Sequence, residues 1–234
     1  MLVKVLTQNG RYADVSARIL VFFATTTILL AGCSSPPSVH RSLTAPYHPA
    51  NVTRLQEALP DSIRRVAVLP IPRSRTDANQ VAGVEALEAD FLAELNKLKR
   101  FEVIPISPEK SRALTGSMAW NAEERFPADF LERLKQATGC DAVILVSLTT
   151  FRAYPPLQVG WKARLVDCEK HLTWWAVDEV FDAGDDSVAA AALSFAHKEL
   201  NLPESAADSA AVLGSPRRFG QYTANAIINT LPGR

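Results

Sequence analysis

The sequence contains few of the residues that bind metals or support redox chemistry. Its 234 residues include three cysteines and four histidines, and these follow no CxxC or Cys/His spacing that would bind a metal. We therefore expect no metal site and no cofactor. The chain also lacks the GxSxG, GxGxxG, HExxH and GxxxxGK(S/T) motifs of common enzyme classes. These absences favour a protein without catalytic residues, and so not an enzyme.

An excess of charge of one sign is also absent, since 25 Lys and Arg residues balance 25 Asp and Glu residues. Without the first 32 residues the chain would keep 22 basic and 24 acidic residues, a formal charge of about −2. Nucleic-acid binding requires a clustered basic face, and the sequence shows no such cluster. We expect no nucleic-acid partner and no electrostatic attachment to anionic lipid.

The sequence contains one run of acidic residues. It consists of Asp178, Glu179, Asp182, Asp185 and Asp186. Clustered carboxylates can bind Ca²⁺, but the spacing matches no DxDxDG loop, and strand alternation sends Asp178 and Glu179 to opposite faces. A solvated edge followed by a helix cap from Asp185 or Asp186 is favoured.

The most specific motif is Leu30-Ala31-Gly32-Cys33. It ends an apolar run that begins near Ile19 and follows three basic residues. The run is about 12 residues long, whereas a membrane-spanning helix needs about 20, so the pattern indicates a secretory signal. The motif resembles a bacterial lipobox. This resemblance implies that residues 1–32 are removed and that Cys33 carries the diacylglyceryl and palmitate-type chains. An ordinary signal peptide with a coincidental cysteine is the alternative.

The residue after the cysteine indicates which membrane holds the anchor. In bacterial lipoproteins an aspartate at that position favours retention at the inner membrane, whereas this chain has Ser34. The motif therefore predicts a lipid-anchored protein of the bacterial cell envelope, at the outer membrane and facing the periplasm.

Residues 33–60 are predicted to form a tether that begins at the lipidated cysteine. The tether opens with Ser34–Ser38, a Ser/Pro-rich composition that favours an extended chain. A short helix over Val52–Leu59 could be capped by Asn51. Residues 61–234 are enough for a single globular periplasmic domain, and they contain no internal repeat.

Hydrophobic periodicity predicts an alternation of strands and helices. The predicted strands are 64–71, 101–106, 141–149, 157–167 and 171–182, and the predicted helices are 81–99, 108–114, 126–138, 185–198 and 216–231. Within 157–167 the pattern alternates, which places Lys162 and Arg164 opposite Trp161. The order β-α-β-α-α-β-β-β-α-α predicts an α+β (or α/β) fold, a mixed sheet of about five strands with helices packed on it.

Six segments resemble a known group of proteins in their order and spacing. They are Arg65–Pro70 (RVAVLP), Phe101–Ile104 (FEVI), Thr138–Ile144 (TGCDAVI), Ala163–Asp167 (ARLVD), Leu172–Trp175 (LTWW) and Val180–Ala183 (VFDA). The series resembles the CsgG/LpoB-like envelope lipoproteins, with the first half of the TolB-like fold as a more distant relative. The resemblance implies a mixed sheet with packed helices.

Within that group the chain is nearer to the synthase-activator type than to the curli-pore type. The connection 150–156 is seven residues long, while each membrane strand of a pore needs about 9–11 residues. The anchor motif, the tether, the single mixed domain and the missing catalytic motifs favour a periplasmic domain that binds a protein partner, either a cell-wall synthase or secretion and assembly machinery. A glycan or small-ligand binder is the alternative, and a periplasmic hydrolase is a further one.

Two cysteines besides Cys33 form a candidate pair. If the predicted strands pair about Tyr154, then Cys140 and Cys168 face each other directly. Opposed positions lie about 4.5–5.5 Å apart, which is within the range of a disulfide, and a periplasmic address permits oxidation. A disulfide is therefore the hypothesis, and two buried free thiols are the alternative.

Two tryptophans are candidates for contact with a partner. Trp120 lies in a predicted loop, and Trp175 belongs to a Trp-Trp pair that alternation splits across the two faces of a strand. An exposed tryptophan is a frequent anchor of protein interfaces. The alternative is that both rings pack in the core.

Overall fold

A computed structural model describes residues 47–202 and 206–234. The predicted leader 1–32, the candidate lipidation site Cys33 and the start of the tether lie outside the described residues. Within the described ranges, no helix is both long enough and apolar enough to cross a membrane.

Six strands and six helices make up the described part of the chain. In chain order they are β1 (Val52–Arg54), β2 (Arg65–Val68), α1 (Ala78–Lys97), β3 (Glu102–Pro105), α2 (Pro108–Thr115), α3 (Phe130–Thr138), β4 (Ala142–Arg152), β5 (Gln158–Asp167), β6 (Thr173–Asp182), α4 (Asp186–Glu199), α5 (Ala206–Leu213) and α6 (Pro216–Ile228).

The strands form one mixed sheet in the order β1-β6-β5-β4-β2-β3. β2 pairs in parallel with β3 and β4, and the remaining neighbours pair antiparallel. The helix-linked strands are therefore parallel and the hairpin-linked strands antiparallel, as their connections require. The predicted α+β architecture is confirmed, with a sixth strand contributed by β1.

One face of the sheet is covered by α1, α4 and α6. Their apolar side chains join alternate residues of the central strands in a single core. This core includes Val84, Leu87, Phe91 and Leu95 of α1, Ala192 of α4, Phe219 and Ile227 of α6, and Val66, Ile144, Trp161 and Val177 of the sheet. This contact explains why apolar residues recur at steps of three and four along α1.

The contact between α1 and α6 is close and partly polar. A Cβ at Gly220 would overlap the side chain of Leu87, so a residue without a side chain brings the two helices together. Asp90 of α1 is buried, and it accepts hydrogen bonds from Arg217 Nε at 2.9 Å and from Gln221 Nε2 at 3.1 Å. The buried carboxylate is thereby paired rather than left without a partner.

The other face of the sheet is covered only in part. A second core lies under α2, α3 and the loop between them. It contains Trp120, Ala122, Phe130, Leu131 and Leu134 above Ala67, Val143, Leu145 and Val166 of the sheet. No residue of β6 belongs to this second core, so its cover ends at β5.

Part of the predicted tether belongs to the sheet, which corrects both the boundary at residue 60 and the predicted helix over Val52–Leu59. Val52–Arg54 forms β1 and pairs antiparallel with β6. Glu179 of β6 accepts hydrogen bonds from Tyr47 Oη at 2.6 Å, Ala50 N at 2.8 Å and Asn51 N at 3.1 Å. A three-residue strand is too short to show periodicity in the local sequence. Its pairing comes from β6, which lies more than 100 residues away along the chain.

The hairpin of β4 and β5 has a different register from the predicted one. Ala142 lies opposite Asp167, which shifts the pairing by one residue, and a bulge lies between Leu148 and Thr150. The backbone of Cys168 consequently bonds to Asp141, whose carbonyl oxygen accepts from Cys168 N at 2.9 Å. The two cysteines are diagonal rather than directly opposed.

Candidate functional site

The uncovered part of the sheet is the candidate functional site. We call it the open face and define it by seven side chains of β5 and β6. They are Gln158, Lys162, Arg164, Ala176, Asp178, Val180 and Asp182. Cross-strand pairing places Lys162 beside Asp178 and Arg164 beside Ala176. The predicted alternation of β5 is confirmed, because Trp161 lies in the core on the opposite side.

Exposed apolar side chains lie on the open face and at its border. Val180 is 48% exposed, and Leu172, immediately before β6, is 44% exposed. Leu55 follows β1, donates its backbone N–H to Trp174 O at 2.9 Å and is 49% exposed. Isolated exposed apolar residues are common, but here they border charged strands at a sheet face without a helix.

A first cleft lies beside Lys162. It has a volume of about 480 Å³, and its lining includes Asn121, Glu123, Ser147 and Thr149. Lys162 Nζ pairs with Asp178 at 2.6 Å and also with Glu123. The hydrogen bonds to Asp178 and Glu123 raise the pKa of Lys162, so its charge is retained and neutralised within the cleft.

A second cleft lies farther along the same face. Its volume is about 370 Å³. It is lined by Glu124, Arg125, Phe126, Pro127, Ala128, Leu131, Arg164, Val166, His171 and Thr173. His171 lies in the turn between β5 and β6 with a φ of 59°, and its side chain is exposed. The loop before α3 and the start of β6 thus form the two walls of this cleft.

Both predicted tryptophan anchors are buried, so the expectation of an exposed indole is wrong for the described chain. Trp120 is 8% exposed, and its Nε1 donates to Thr115 Oγ1 at 2.8 Å. Trp175 is 1% exposed, and its Nε1 donates to Thr230 Oγ1 at 2.9 Å. Each indole N–H has a buried partner, which is what allows the rings to pack in the core.

The cysteine pair is brought together despite the shifted register. Cys140 and Cys168 are buried and free, with their Sγ atoms 3.7 Å apart. The hydrogen bond to Cys140 is the largest of the effects that raise the pKa of the Cys168 thiol, and burial is the next largest. The disulfide hypothesis stays a prediction, since the structure shows two adjacent thiols.

Two residues of the acidic run, Asp182 and Asp185, accept hydrogen bonds that stabilise the fold. Asp185 caps α4 by accepting from Ser187 N at 2.7 Å and Val188 N at 3.3 Å, which confirms the predicted helix cap. Asp182 accepts from Gln158 Nε2 at 2.6 Å. Within residues 47–202 and 206–234, no group of three His, Cys, Asp or Glu side chains could hold a metal ion.

A third cleft lies on the helical side, between α4, α6 and the start of the described chain. Its volume is about 300 Å³, and its lining includes Tyr47, Phe195, Tyr222 and Asn229. Tyr222 is 4% exposed, and its hydroxyl has no hydrogen-bond partner in the described structure. Burial raises the pKa of Tyr222, so the hydroxyl stays protonated at neutral pH.

Sequence reasoning missed the open face as a site. The alternation of β5 placed Lys162 and Arg164 on its polar side, but that pattern is typical of any half-buried strand. The missing information was which helices cover which half of the sheet. Such cover depends on contacts between distant segments, and no local pattern records them.

Comparisons with known proteins identify structures of weak similarity. No family model matches the chain, and neither does any curated protein. Among solved structures, the lipoprotein GNA1162 from Neisseria meningitidis is 23% identical over 50% of this chain and 79% of that chain, with a TM-score of 0.36.

Two other solved structures show similarities of the same kind. The PelC dodecamer from Paraburkholderia phytofirmans is 13% identical over 79% of this chain and 99% of that chain, with a TM-score of 0.43. The hypothetical protein CT253 from Chlamydia trachomatis is 16% identical over 51% of this chain and 69% of that chain, with a TM-score of 0.28. Similarities this weak assign neither a family nor a function nor an assembly to this chain.

Proposed function

We propose that the chain is a non-catalytic, lipid-anchored protein of the bacterial cell envelope whose globular unit binds a protein partner. The partner would be a cell-wall synthase or a component of secretion and assembly machinery. Attachment through acyl chains on Cys33 would hold the unit at the outer membrane, facing the periplasm.

The location is supported by the sequence around Cys33. A short apolar run after basic residues and the motif Leu30-Ala31-Gly32-Cys33 are typical of a processed lipoprotein leader. The first described residues lie only 14 positions after Cys33. Because an extended chain spans at most about 3.6 Å per residue, the globular unit would stay within about 50 Å of its anchor.

Binding of a protein partner is supported by the open face, and this is the observation on which the proposal depends. On one face of the sheet α2 and α3 do not extend over β6, and this open face combines the exposed Val180 with the charged residues Lys162, Asp178 and Arg164. Protein interfaces combine apolar contact with a polar rim in this way.

A glycan-binding role has less support. Sugar rings commonly stack on exposed aromatic side chains, and tryptophan is the largest of these. All four tryptophans of the sequence are buried, because Trp120, Trp161, Trp174 and Trp175 are at most 8% exposed. The rings therefore stabilise the core and offer no platform for a sugar.

A small-ligand role is the second candidate, and the cleft beside Tyr222 favours it. A buried hydroxyl without a partner has a free-energy cost of about 1–3 kcal/mol that a ligand acceptor could recover. The helix-side cleft is about 300 Å³, at the lower limit for ligand pockets. Calorimetry measures the heat released when a small compound binds in this cleft. Loss of that heat of binding in Tyr222→Phe would favour this role.

Site-specific photo-crosslinking in intact native cells tests the proposed function. A photo-reactive phenylalanine analogue at position 180 samples the open face, and the same analogue at Ala89, exposed on α1, is the matched control. We expect an adduct with one envelope protein from position 180 and none from position 89. Lys162→Glu should abolish that adduct because it reverses a charge on the same face.

Three results would contradict the proposal. The first is capture of lipid alone from position 180, and the second is the same protein captured from both positions. The third is an adduct that persists unchanged with Lys162→Glu. Each would show that the open face does not bind a specific protein.

A further inference from the structure

Arg164 lies near the centre of the sheet with a rigid aromatic support. It is paired across the sheet with Leu145 of β4 and with Ala176 of β6. Its guanidinium carbon lies 4.6 Å from the ring centroid of Phe126, and that ring stacks on Phe130 at 4.2 Å with an interplanar angle of 1°. The aromatic pair holds the cation in one place and removes water from one of its faces.

The Arg164 side chain has few hydrogen bonds for its degree of burial. Its Nη2 donates to Glu124 O at 2.5 Å, whereas its Nε is buried and has no partner in the described structure. Among the described residues, Arg164 forms no ion pair with a carboxylate. Burial lowers the pKa of Arg164, but a guanidinium stays charged at neutral pH. A half-buried positive charge without a counter-charge is unfavourable unless a ligand supplies one.

Arg125 adds a second positive charge to the cleft that contains Arg164. Arg125 and His171 line the same cleft and are exposed. Glu124 is the acidic residue of the lining, and its Oε2 already accepts from Asn121 N at 3.1 Å. The neighbouring cleft on the same face provides an internal contrast, because Lys162 there is neutralised by Asp178 and Glu123. The excess positive charge of the open face is thus located in the Arg164 cleft.

We propose that the Arg164 cleft binds the carboxylate of an acidic segment of the protein partner, with Arg164 as its main ligand and with Arg125 and His171 at its rim. This inference rests on the proposed function and names the chemistry of the partner. A guanidinium forms charge-assisted hydrogen bonds with a carboxylate, and such bonds are about twice as strong as bonds between neutral groups.

A peptide fits this cleft better than a free phosphate ion. The lining of the cleft also includes the apolar residues Leu131 and Val166, so an apolar contact is available next to the charge. A phosphate ion would gain nothing from these apolar side chains. A segment with an acidic residue beside an apolar one uses both features.

Fluorescence anisotropy tests the proposal on the full-length protein in detergent. The probe is a labelled pentapeptide of four glutamates around a central leucine. We expect Arg164→Gln to raise its dissociation constant at least tenfold and Arg125→Gln to raise it severalfold. The matched control is Lys110→Gln, an exposed basic residue on α2 outside the cleft, for which we expect a change of less than twofold.

Arg125→Gln keeps the test valid if Arg164→Gln does not fold, because Arg125 is exposed. Absence of peptide binding, an equal effect of Lys110→Gln, or equal binding of the glutamine version of the peptide would overturn the inference. Displacement of the peptide by an equal concentration of inorganic phosphate would also overturn it, since the site would then be a phosphate site. Failure here leaves crosslinking at position 180 as a separate test of the proposed function.

Discussion

At the scale of single residues, the buried tryptophans show how tertiary contacts decide a role that the residue type leaves open. Trp175 was a candidate interface anchor, but its ring is enclosed and its N–H donates to Thr230. A side chain in that position contributes to the free energy of unfolding and not directly to binding. Arg164 shows the opposite case, because this ordinary strand residue is a partly buried cation whose Nε has no hydrogen-bond partner among the described residues.

Replacement of Trp175 by alanine tests this assignment. We expect the free energy of unfolding to fall by about 3–5 kcal/mol, because the change leaves a large cavity and removes the hydrogen bond from the indole to Thr230 Oγ1. Urea unfolding followed by circular dichroism measures it. Leu172→Ala is the control, since Leu172 is 44% exposed and should change stability by no more than about 0.5 kcal/mol. Equal effects of the two substitutions would contradict the burial of Trp175.

A second residue-scale prediction concerns the cysteine pair. Because Cys140 and Cys168 lie with their sulfurs 3.7 Å apart, we expect them to be joined when the protein matures in an oxidising compartment. Counting the thiols of denatured protein purified without reductant measures this, and we expect neither residue to react. Two reactive thiols would exclude the disulfide.

At the scale of elements, β1 is the clearest difference between prediction and structure. A three-residue strand has no recognisable periodicity, and it is stabilised by pairing with β6 and by the contacts of Glu179 with Tyr47, Ala50 and Asn51. Short edge strands of this kind also limit pairing with other chains. The predicted tether therefore ends closer to Cys33 than its composition predicts.

Replacement of Thr53 by proline tests the pairing of β1. Thr53 lies opposite Ala176, and the backbone bonds at Asn51 and Leu55 show by alternation that the Thr53 N–H faces β6. We expect a loss of about 1–3 kcal/mol in the free energy of unfolding, because proline cannot donate to the ladder. Thr53→Val is the control and should leave stability nearly unchanged. If Thr53→Pro left the free energy of unfolding unchanged, residues 52–54 would belong to the tether and not to the sheet.

The turn between β5 and β6 gives a pH-dependent prediction. Asp167 is buried and accepts from Glu169 N and Lys170 N, both at 2.8 Å, and from Trp174 Nε1 at 3.2 Å. Burial alone would raise the pKa of Asp167, but the bonds from Lys170, Glu169 and Trp174 hold it below its ordinary value.

The unfolded chain therefore takes up a proton at Asp167 before the folded chain does. The stability that Asp167 contributes is present above about pH 4 and is lost as the pH falls further. We expect Asp167→Asn to destabilise the protein at pH 7 by about 1–3 kcal/mol and to reduce the acid-induced loss. Urea unfolding between pH 7 and pH 3 measures both effects. An unchanged pH dependence in the variant would show that other carboxylates cause the loss.

At the scale of the whole molecule, the fold presents one protected face and one half-open face. Helices α1, α4 and α6 cover the first, whereas α2 and α3 stop short of β6 on the second. If Cys33 is lipidated, the chain between it and residue 47 limits how far this open face lies from the membrane. The proposed function depends on both features, since an anchor gives location and an open face gives contact.

Replacement of Cys33 by alanine tests the anchor. We expect to find the wild-type protein in the membrane fraction, with the mass of a mature chain that begins at an acylated Cys33. We expect the variant to be uncleaved or to lack the lipid. Fractionation and mass spectrometry of the purified chain measure this. Cys140→Ala is the matched control and should remain membrane-bound, because it alters a buried thiol of the globular unit. An unmodified wild-type N-terminus would contradict the lipid anchor.

The sequence by itself determined the identity of most elements and the polar side of β5, because hydrophobic periodicity reflects which face of a local segment is buried. It also contains the motif at Cys33, which is a contiguous pattern. Only the tertiary structure decided that β1 joins the sheet, that the register shifts by one residue at Asp141, and that both candidate indoles are enclosed. It also decided that Arg164 has no carboxylate partner among the described residues. These features arise from contacts between segments far apart in the chain, and the free energy of such contacts leaves no trace in a local pattern.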